Sequence, residues 1–299
     1  MEAYLIAIFI TVLIYMLLAG GLALQYGFTG LINFGHVGFY AIGAYTSALL
    51  ALQGVPLAVC FLAAALVSCL SAYPLGVIAL RLRGDYLAIV TLGFSEAVRM
   101  VIQKEEWLTR GVHGIPGIPR LFGGYGSGLT VDVLILAALL ATNILVFLGI
   151  RKIIRSPFGR TIKAIRDNEV AVMALGKNPA WFKTRSLMIG AALAGLAGAF
   201  TAHYLTFISP EQFVPLITFY VWIAIIVGGV GSLKGVVAGT VILMVFLEGS
   251  RFAREFLFLD ISEVQMASLR FLIIGLGLVC CVLYRPNGLF GGAPAGGRQ

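Results

Sequence analysis

Charge is scarce in this sequence. Of its 299 residues only 11% are Asp, Glu, Lys or Arg, less than half of the roughly 25% usual in soluble domains. That excludes a chain whose main solvent is water. The phosphate-cradling signature G-x-x-x-x-G-K-[ST] is missing. Lys234, within Gly231-Ser232-Leu233-Lys234-Gly235, lacks the glycine before it and the hydroxyl after it, and Lys183, though followed by Thr184, lacks the glycines, which excludes ATP hydrolysis by that loop. His-Glu-x-x-His and Gly-x-Ser-x-Gly are missing as well. Three histidines, at 36, 113 and 203, and four cysteines, at 60, 69, 280 and 281, have no metal-ligand spacing, and no metal or catalytic site is expected. The cysteines sit in apolar stretches and read as small packing residues. The N-terminus, Met1-Glu2-Ala3-Tyr4, has no basic region and no small-residue cleavage site after the apolar run that follows, so the first helix is expected to remain in place.

What the chain has is apolar material, 60% of all residues, with a mean hydropathy of +0.99. It falls into stretches at about 4–24, 36–53, 57–80, 86–103, 131–152, 186–207, 216–232, 235–250 and 265–284, each close to the roughly 20 residues that span a bilayer core as a helix. The runs are continuous rather than alternating, which favours helices over a barrel. The expected fold is therefore an all-α polytopic membrane protein of about 8–10 transmembrane helices, with glycine-broken segments and inverted repeats, forming one domain over 1–299. The net charge of +8 reads as a topology signal, not a nucleic-acid footprint, since no basic stripe interleaves with aromatics. Nine of the 21 basic residues lie in 151–185, with only Asp167 and Glu169 as acids, so this segment is placed in the cytoplasm. The same count puts Arg81, Arg83, Lys234 and the tail from Arg285 inside, and the N-terminus outside.

Several segments stand out. Gln25 to Gly38 is a glycine-rich break carrying Asn33 and His36, polar groups that are costly in hydrocarbon unless partnered. It reads either as a broken transporter helix exposing polar backbone to a solute path or as a loop with Asn33 as a cap. In Thr91-Leu92-Gly93-Phe94-Ser95-Glu96-Ala97-Val98-Arg99, Glu96 and Arg99 share one helix face at membrane depth, either as a structural pair or at the edge of a pathway. A second glycine-interrupted segment, Val227 to Gly239, is a candidate repeat counterpart of the first. Residues 104–130 form a loop rich in turn formers. Residues 251–263 suit either an interfacial helix or a protruding helix end. Small residues four apart from Gly190 to Gly198 allow close helix packing.

Between about 154 and 184, Gly159 to Leu175 reads as one or two short helices ended by Gly176 and stopped by Pro179. Ile162, Ile165, Val170, Val172, Met173 and Leu175 are too apolar for a free loop. Either a soluble partner covers them, with Arg160, Lys163 and Arg166 as a charged rim, or the segment folds back onto the membrane end of its own chain.

Taken in order, these elements resemble the permease subunits of branched-chain amino acid importers of the ATP-binding-cassette type, and the LivM-type subunit more than its LivH-type partner. The resemblance rests on Tyr26-Gly27 through Gly30-x-Ile32-Asn33-Phe34-Gly35-His36, Thr91-Leu92-Gly93-Phe94 with Glu96, and Gly114-Ile115. It continues through Phe158-Gly159-Arg160, Arg166-Asp167-Asn168-Glu169-x-Ala171, Leu175-Gly176, Gly228-Gly229-x-Gly231-Ser232 with Gly235, and Tyr284-Arg285-Pro286-x-Gly288-Leu289. It departs from the family at Leu108 to Pro116, which is poorer in glycine and asparagine than expected.

The resemblance implies a non-catalytic subunit in a bacterial inner membrane, surrounded by membrane lipid. It implies a second, LivH-like permease, two cytoplasmic ATPases that bind the ATP, and a periplasmic or lipid-anchored solute-binding protein. No cofactor is expected in this chain. Gly159, Arg160, Lys163, Arg166, Asp167, Asn168, Glu169, Ala171 and Gly176 are implied as the ATPase-coupling set. Asn33, His36, Thr91, Gly93, Glu96, Gly229 and Gly231 are implied along the translocation path. Urea or a short amide is the alternative solute. An intramembrane enzyme or a stand-alone ion-coupled carrier is the alternative class.

Overall fold

The computed structural model describes residues 2–79, 84–124, 126, 128–256, 263–285 and 287–291. Helix α1 (Glu2–Leu22) runs on as a π-turn over Ala23–Phe28. It is followed by α2 (His36–Leu52), α3 (Leu57–Ala79), α4 (Gly84–Lys104) and the short α5 (Glu106–Thr109). Strand β1 (Ile115–Pro116) precedes α6 (Gly128–Arg155), and two short helices follow, α7 (Pro157–Asp167) and α8 (Glu169–Ala174). After α9 (Pro179–Leu205) and β2 (Phe207–Ile208) come α10 (Leu216–Gly228), α11 (Leu233–Phe256) and α12 (Glu263–Tyr284). Each of the nine apolar stretches thus holds a helix.

Among the described residues, six helices are long and apolar enough to cross a membrane. Helix α2, at 17 residues, is shorter because it begins inside the bundle. Its first residue, His36, meets the carbonyl of Leu18, ten positions before the end of the π-turn at Phe28, or roughly 15 Å along the axis.

Helix α9 is the centre of the bundle, packed against α1, α2 and α3. Its small residues permit this. A Cβ on Gly195 would strike Ser68 of α3, and one on Gly198 would strike the Tyr40 carbonyl of α2. Backbones approach in lipid only where side chains are this small. Helix α6 lies on α1, α4 lies on α2, and α10 pairs with α11.

The two ends of the bundle are distinct. At one end β1 pairs antiparallel with β2, Ile115 opposite Ile208, and His203 of α9 is hydrogen-bonded to Pro119 O at 2.7 Å and Ser47 Oγ at 2.8 Å. This ties the glycine-rich loop down on the side expected to face outward. At the other end lie α7, α8 and both glycine breaks. Arg81 and Arg83 lie outside the described residues. Helix α11 runs unbroken through Phe256, so 251–256 is the end of that helix; 257–262 lies outside the described residues.

Candidate translocation and coupling site

The break after α1 is built on a buried polar network. Gln25, in the π-turn, and Asn33 are both fully buried. Gln25 Nε2 donates to Leu187 O of α9 at 3.0 Å, and Asn33 Nδ2 donates to Gln25 Oε1 at 2.8 Å. Asn33 Oδ1 accepts from Gly35 N at 2.8 Å, and Trp222 Nε1 of α10 donates to Asn33 O at 3.0 Å. The start of α2 is held from two sides. Thr91 Oγ1 of α4 accepts from Phe34 N, and Thr218 Oγ1 of α10 accepts from Val37 N, both at 3.0 Å. These bonds satisfy amides that a helix start leaves unpaired where no water is at hand. His36 Nε2 lies 3.2 Å from Leu18 O. The carbonyl can only accept, so Nε2 carries the hydrogen, and the buried Nδ1 has no partner.

Helices α7 and α8 sit beneath this break. Ser156 Oγ caps α7 by accepting from Gly159 N at 3.2 Å, with Pro157 in the first turn, where a missing N–H costs nothing. Asn168 Oδ1 caps α8 by accepting from Ala171 N at 3.0 Å, which divides the segment in two. Gly176 ends α8 with φ +74°, a conformation that glycine adopts freely. A Cβ on Gly159 would run into the Ile153 and Ile154 backbone, so the corner from α6 into α7 requires glycine. Ile162 packs with Leu24, Phe28, Ile150 and Ile154; Ile165 and Val172 are also buried. Half of the apolar surface of the segment therefore folds back on its own chain. The other half does not: Val170, Met173 and Leu175 are 70%, 50% and 78% exposed. Lys183 Nζ and Glu169 Oε2 pair at 2.6 Å, tying α8 to α9, and Arg160 is exposed.

Arg166 joins the segment to both breaks. Its Nη1 donates to Gly27 O at 2.8 Å, and its Nε and Nη2 donate to Asp167 Oδ1 at 3.0 and 2.9 Å. A Cβ on Gly30 (φ +76°) would lie 3.0 Å from Arg166 Cγ, and one on Gly231 (φ +82°) would lie 3.2 Å from Nη1. One on Gly27 would lie 3.1 Å from Gly231 N. The two glycine breaks thus meet at one end of the bundle around one guanidinium, whereas inversion-related counterparts would lie at opposite ends. Lys163 lies 5.7 Å from the Phe28 ring centre, a cation–π distance. Gly229 is wedged against Gly288 and Gly291. There Leu289 N and Phe290 N donate to Val227 O and Gly228 O, both at 2.9 Å, so a C-terminal strap closes the end of α10.

Helix α4 divides the remaining path candidates. Thr91 and Ser95 face α2 and are buried, while Gly93 is exposed and nothing lies within 4 Å of a Cβ built there. Glu96 and Arg99 pair at 2.6 Å with side chains 31% and 25% exposed. Tyr86, Ile89 and Met100 are also exposed on this helix. Asn33, His36 and Thr91 therefore converge, and Gly93 and Glu96 do not join them.

Comparison with known sequences decides the family. A family profile described as branched-chain amino acid transport system / permease component matches residues 4–281. The chain belongs to this permease family. It is 37% identical to the high-affinity branched-chain amino acid transport system permease protein LivM of Salmonella typhimurium, over 93% of this chain and 68% of the relative. The Escherichia coli LivM is 36% identical over the same shares. The Escherichia coli LivH, over 93% of this chain and 91% of the relative, is 26% identical, which makes this permease LivM-like. No solved structure matches it.

The permease also uses residues that motif reading passed over. Gln25, Thr29, Ser186, Thr218 and Trp222 complete the network at the break, with Thr29 Oγ1 2.7 Å from Ser186 Oγ. Their one sequence signal is polarity inside apolar runs; Thr218 and Trp222, four apart, mark one face of α10.

Proposed function

We propose that this chain is the LivM-type permease subunit of an ATP-binding-cassette importer for branched-chain amino acids in a bacterial inner membrane. Residues 1–299 act as one permease domain. It would form the translocation path with a LivH-like permease, coupled to two cytoplasmic ATPases that bind ATP and fed by a periplasmic or lipid-anchored binding protein.

The observation that carries this reading is the double seating of 154–184. Ile162, Ile165 and Val172 are buried, whereas Val170, Met173 and Leu175 are open. A helix pair anchored on one side and apolar on the other suits docking into a groove of a soluble motor. Nucleotide-driven movement of α8 would pass through α7 to Arg166 and so to Gly27, Gly30 and Gly231, where both broken helices hinge. Of the coupling set, Arg160, Asn168, Glu169 and Ala171 lie on the motor side. Arg166 with Asp167 acts as the inner link, Lys163 rests on Phe28, and Gly159 and Gly176 bound the moving piece. Asn33, His36 and Thr91 hold the start of α2, the end of the hinge within the membrane.

Glu96 and Gly93 lie on the outward face of α4. An ion pair is costly in lipid, so this face is assigned to the path shared with the second permease. A zwitterion suits it, with Glu96 for the ammonium and Arg99 for the carboxylate.

The deciding experiment is uptake of labelled leucine into proteoliposomes holding this chain with its partner permease, ATPases and binding protein. Uptake that needs internal ATP and is competed by isoleucine and valine is the expected result. An assembled, ATP-hydrolysing complex that does not move leucine would overturn the substrate; uptake by this chain alone on an ion gradient would overturn the coupling.

A further inference from the structure

A groove of about 830 Å³ opens at the cytoplasmic end of the bundle, between α6, α7 and the start of α11. Four cationic side chains line it: Arg151 and Arg155 from α6, Lys163 from α7 and Lys234 from α11. No Asp or Glu lines it, and among the described residues none of the four is in an ion pair. Such an excess of one sign, unrelieved by the chain itself, calls for an anion.

The walls below the cations are apolar and graded in the same direction. On α6, Ile144, Leu148, Arg151 and Arg155 are spaced by 4, 3 and 4 residues, which is one helical stripe. Ile144 and Leu148 are 53% and 55% exposed. The stripe is therefore open hydrocarbon over its deeper part and basic over its last turn. Helix α11 repeats the gradient: Lys234 stands in its first turn, with Val237 and Ala238 behind it.

We infer that this groove binds an anionic phospholipid of the cytoplasmic leaflet, its headgroup phosphate held by Arg151, Arg155, Lys163 and Lys234 and an acyl chain lying along Ile144, Leu148 and Val237. Basic pockets between membrane helices on this side are suited to such headgroups. A soluble motor can reach the cations but not the apolar wall, Leu148 and Ile144, which lies about 10 to 16 Å along α6 from Arg155; a lipid matches both parts. The site needs only the sidedness of the bundle. It stands whether or not leucine is the solute.

The test is native mass spectrometry of the full chain, with any subunits that co-purify, against phosphatidylglycerol and phosphatidylcholine of identical acyl chains. The parent should retain phosphatidylglycerol at least about ten-fold better. The combined R151Q, R155Q and K234Q variant should bring the two lipids within about two-fold, and R151Q alone should narrow the preference, while K152Q, the same single charge loss next to the groove but outside its lining, should leave the preference intact. Equal retention of both lipids by the parent, or full preference in the combined variant, would overturn the site. If that variant does not fold, the parent is titrated with salt. The preference should fall steeply as ionic strength rises, and a salt-independent preference counts against the cations. Disulfide trapping of Leu148→Cys by a neighbouring protein subunit would reassign the groove to a protein interface.

Discussion

Arg166 carries more of the geometry than any other single side chain. Its charge-assisted bond to Gly27 O belongs to a class worth about 1.5–3 kcal/mol, and the same side chain lies against Gly30 and Gly231. Arg166→Ala is expected to leave a folded, assembling subunit in which ATP hydrolysis continues while uptake falls at least ten-fold; paired hydrolysis and uptake assays on one preparation check this, and normal uptake would sink the coupling assignment. Gln25→Leu acts differently. It strips the partner from the buried Asn33 Nδ2, and a buried unpaired group costs about 1–3 kcal/mol, so thermal unfolding in detergent should drop by several degrees. At Gly159 the penalty is steric. Gly159→Val presses carbon against the Ile154 backbone, and overpacking of this kind costs about 1–3 kcal/mol. The expected signature is local: faster proteolysis within 156–178 with the rest of the bundle unchanged.

Elements show where sequence reading succeeds and where it stops. The close of α8 was legible because its signals, Gly176 and Pro179, are local; the start was read at Gly159, two residues inside α7, and the division at Asn168 was left open between one helix and two. Which residues of α7 and α8 turn inward was not legible. Ile162 and Val170 are equally apolar, and only the ends of α1 and α6 determine that one is covered and the other left bare. The break at 27–38 was legible from its glycines and polar residues, although whether it was a broken helix or a capped loop was left open. Its meeting with the second break was not legible, because 200 residues of chain separate Gly27 from Gly231 and the contact is between backbones. Glu96 and Asn33 were grouped as one path through the resemblance; the 100° step between helix residues sends Thr91 inward and Gly93 outward. At this scale α8 is expected to be the docking element. Leu175→Glu should abolish co-purification of the ATPases without altering the melting profile of the permease itself.

For the whole molecule, composition and the spacing of apolar runs were sufficient to identify a helical membrane bundle, because bilayer thickness fixes helix length. The distribution of Lys and Arg gave a sidedness with which the contacts agree: α7, both breaks and the strap share one end, and the paired strands share the other. Cysteine introduced at Trp107, 81% exposed, or at Leu175, 78% exposed, should react with a membrane-impermeant reagent from opposite sides of intact cells or vesicles. Labelling of both from one side would require redrawing the topology. The strap also bears on how such a bundle is made. Val227 and Gly228 at the end of α10 receive their donors from Leu289 and Phe290, some sixty positions later. During synthesis α10 must enter the bilayer with those carbonyls still open, wait through the insertion of α11 and α12, and be closed only when the strap arrives. A chain that stalls after α12 would hold every helix and still leave the Val227 and Gly228 carbonyls without the donors of the strap.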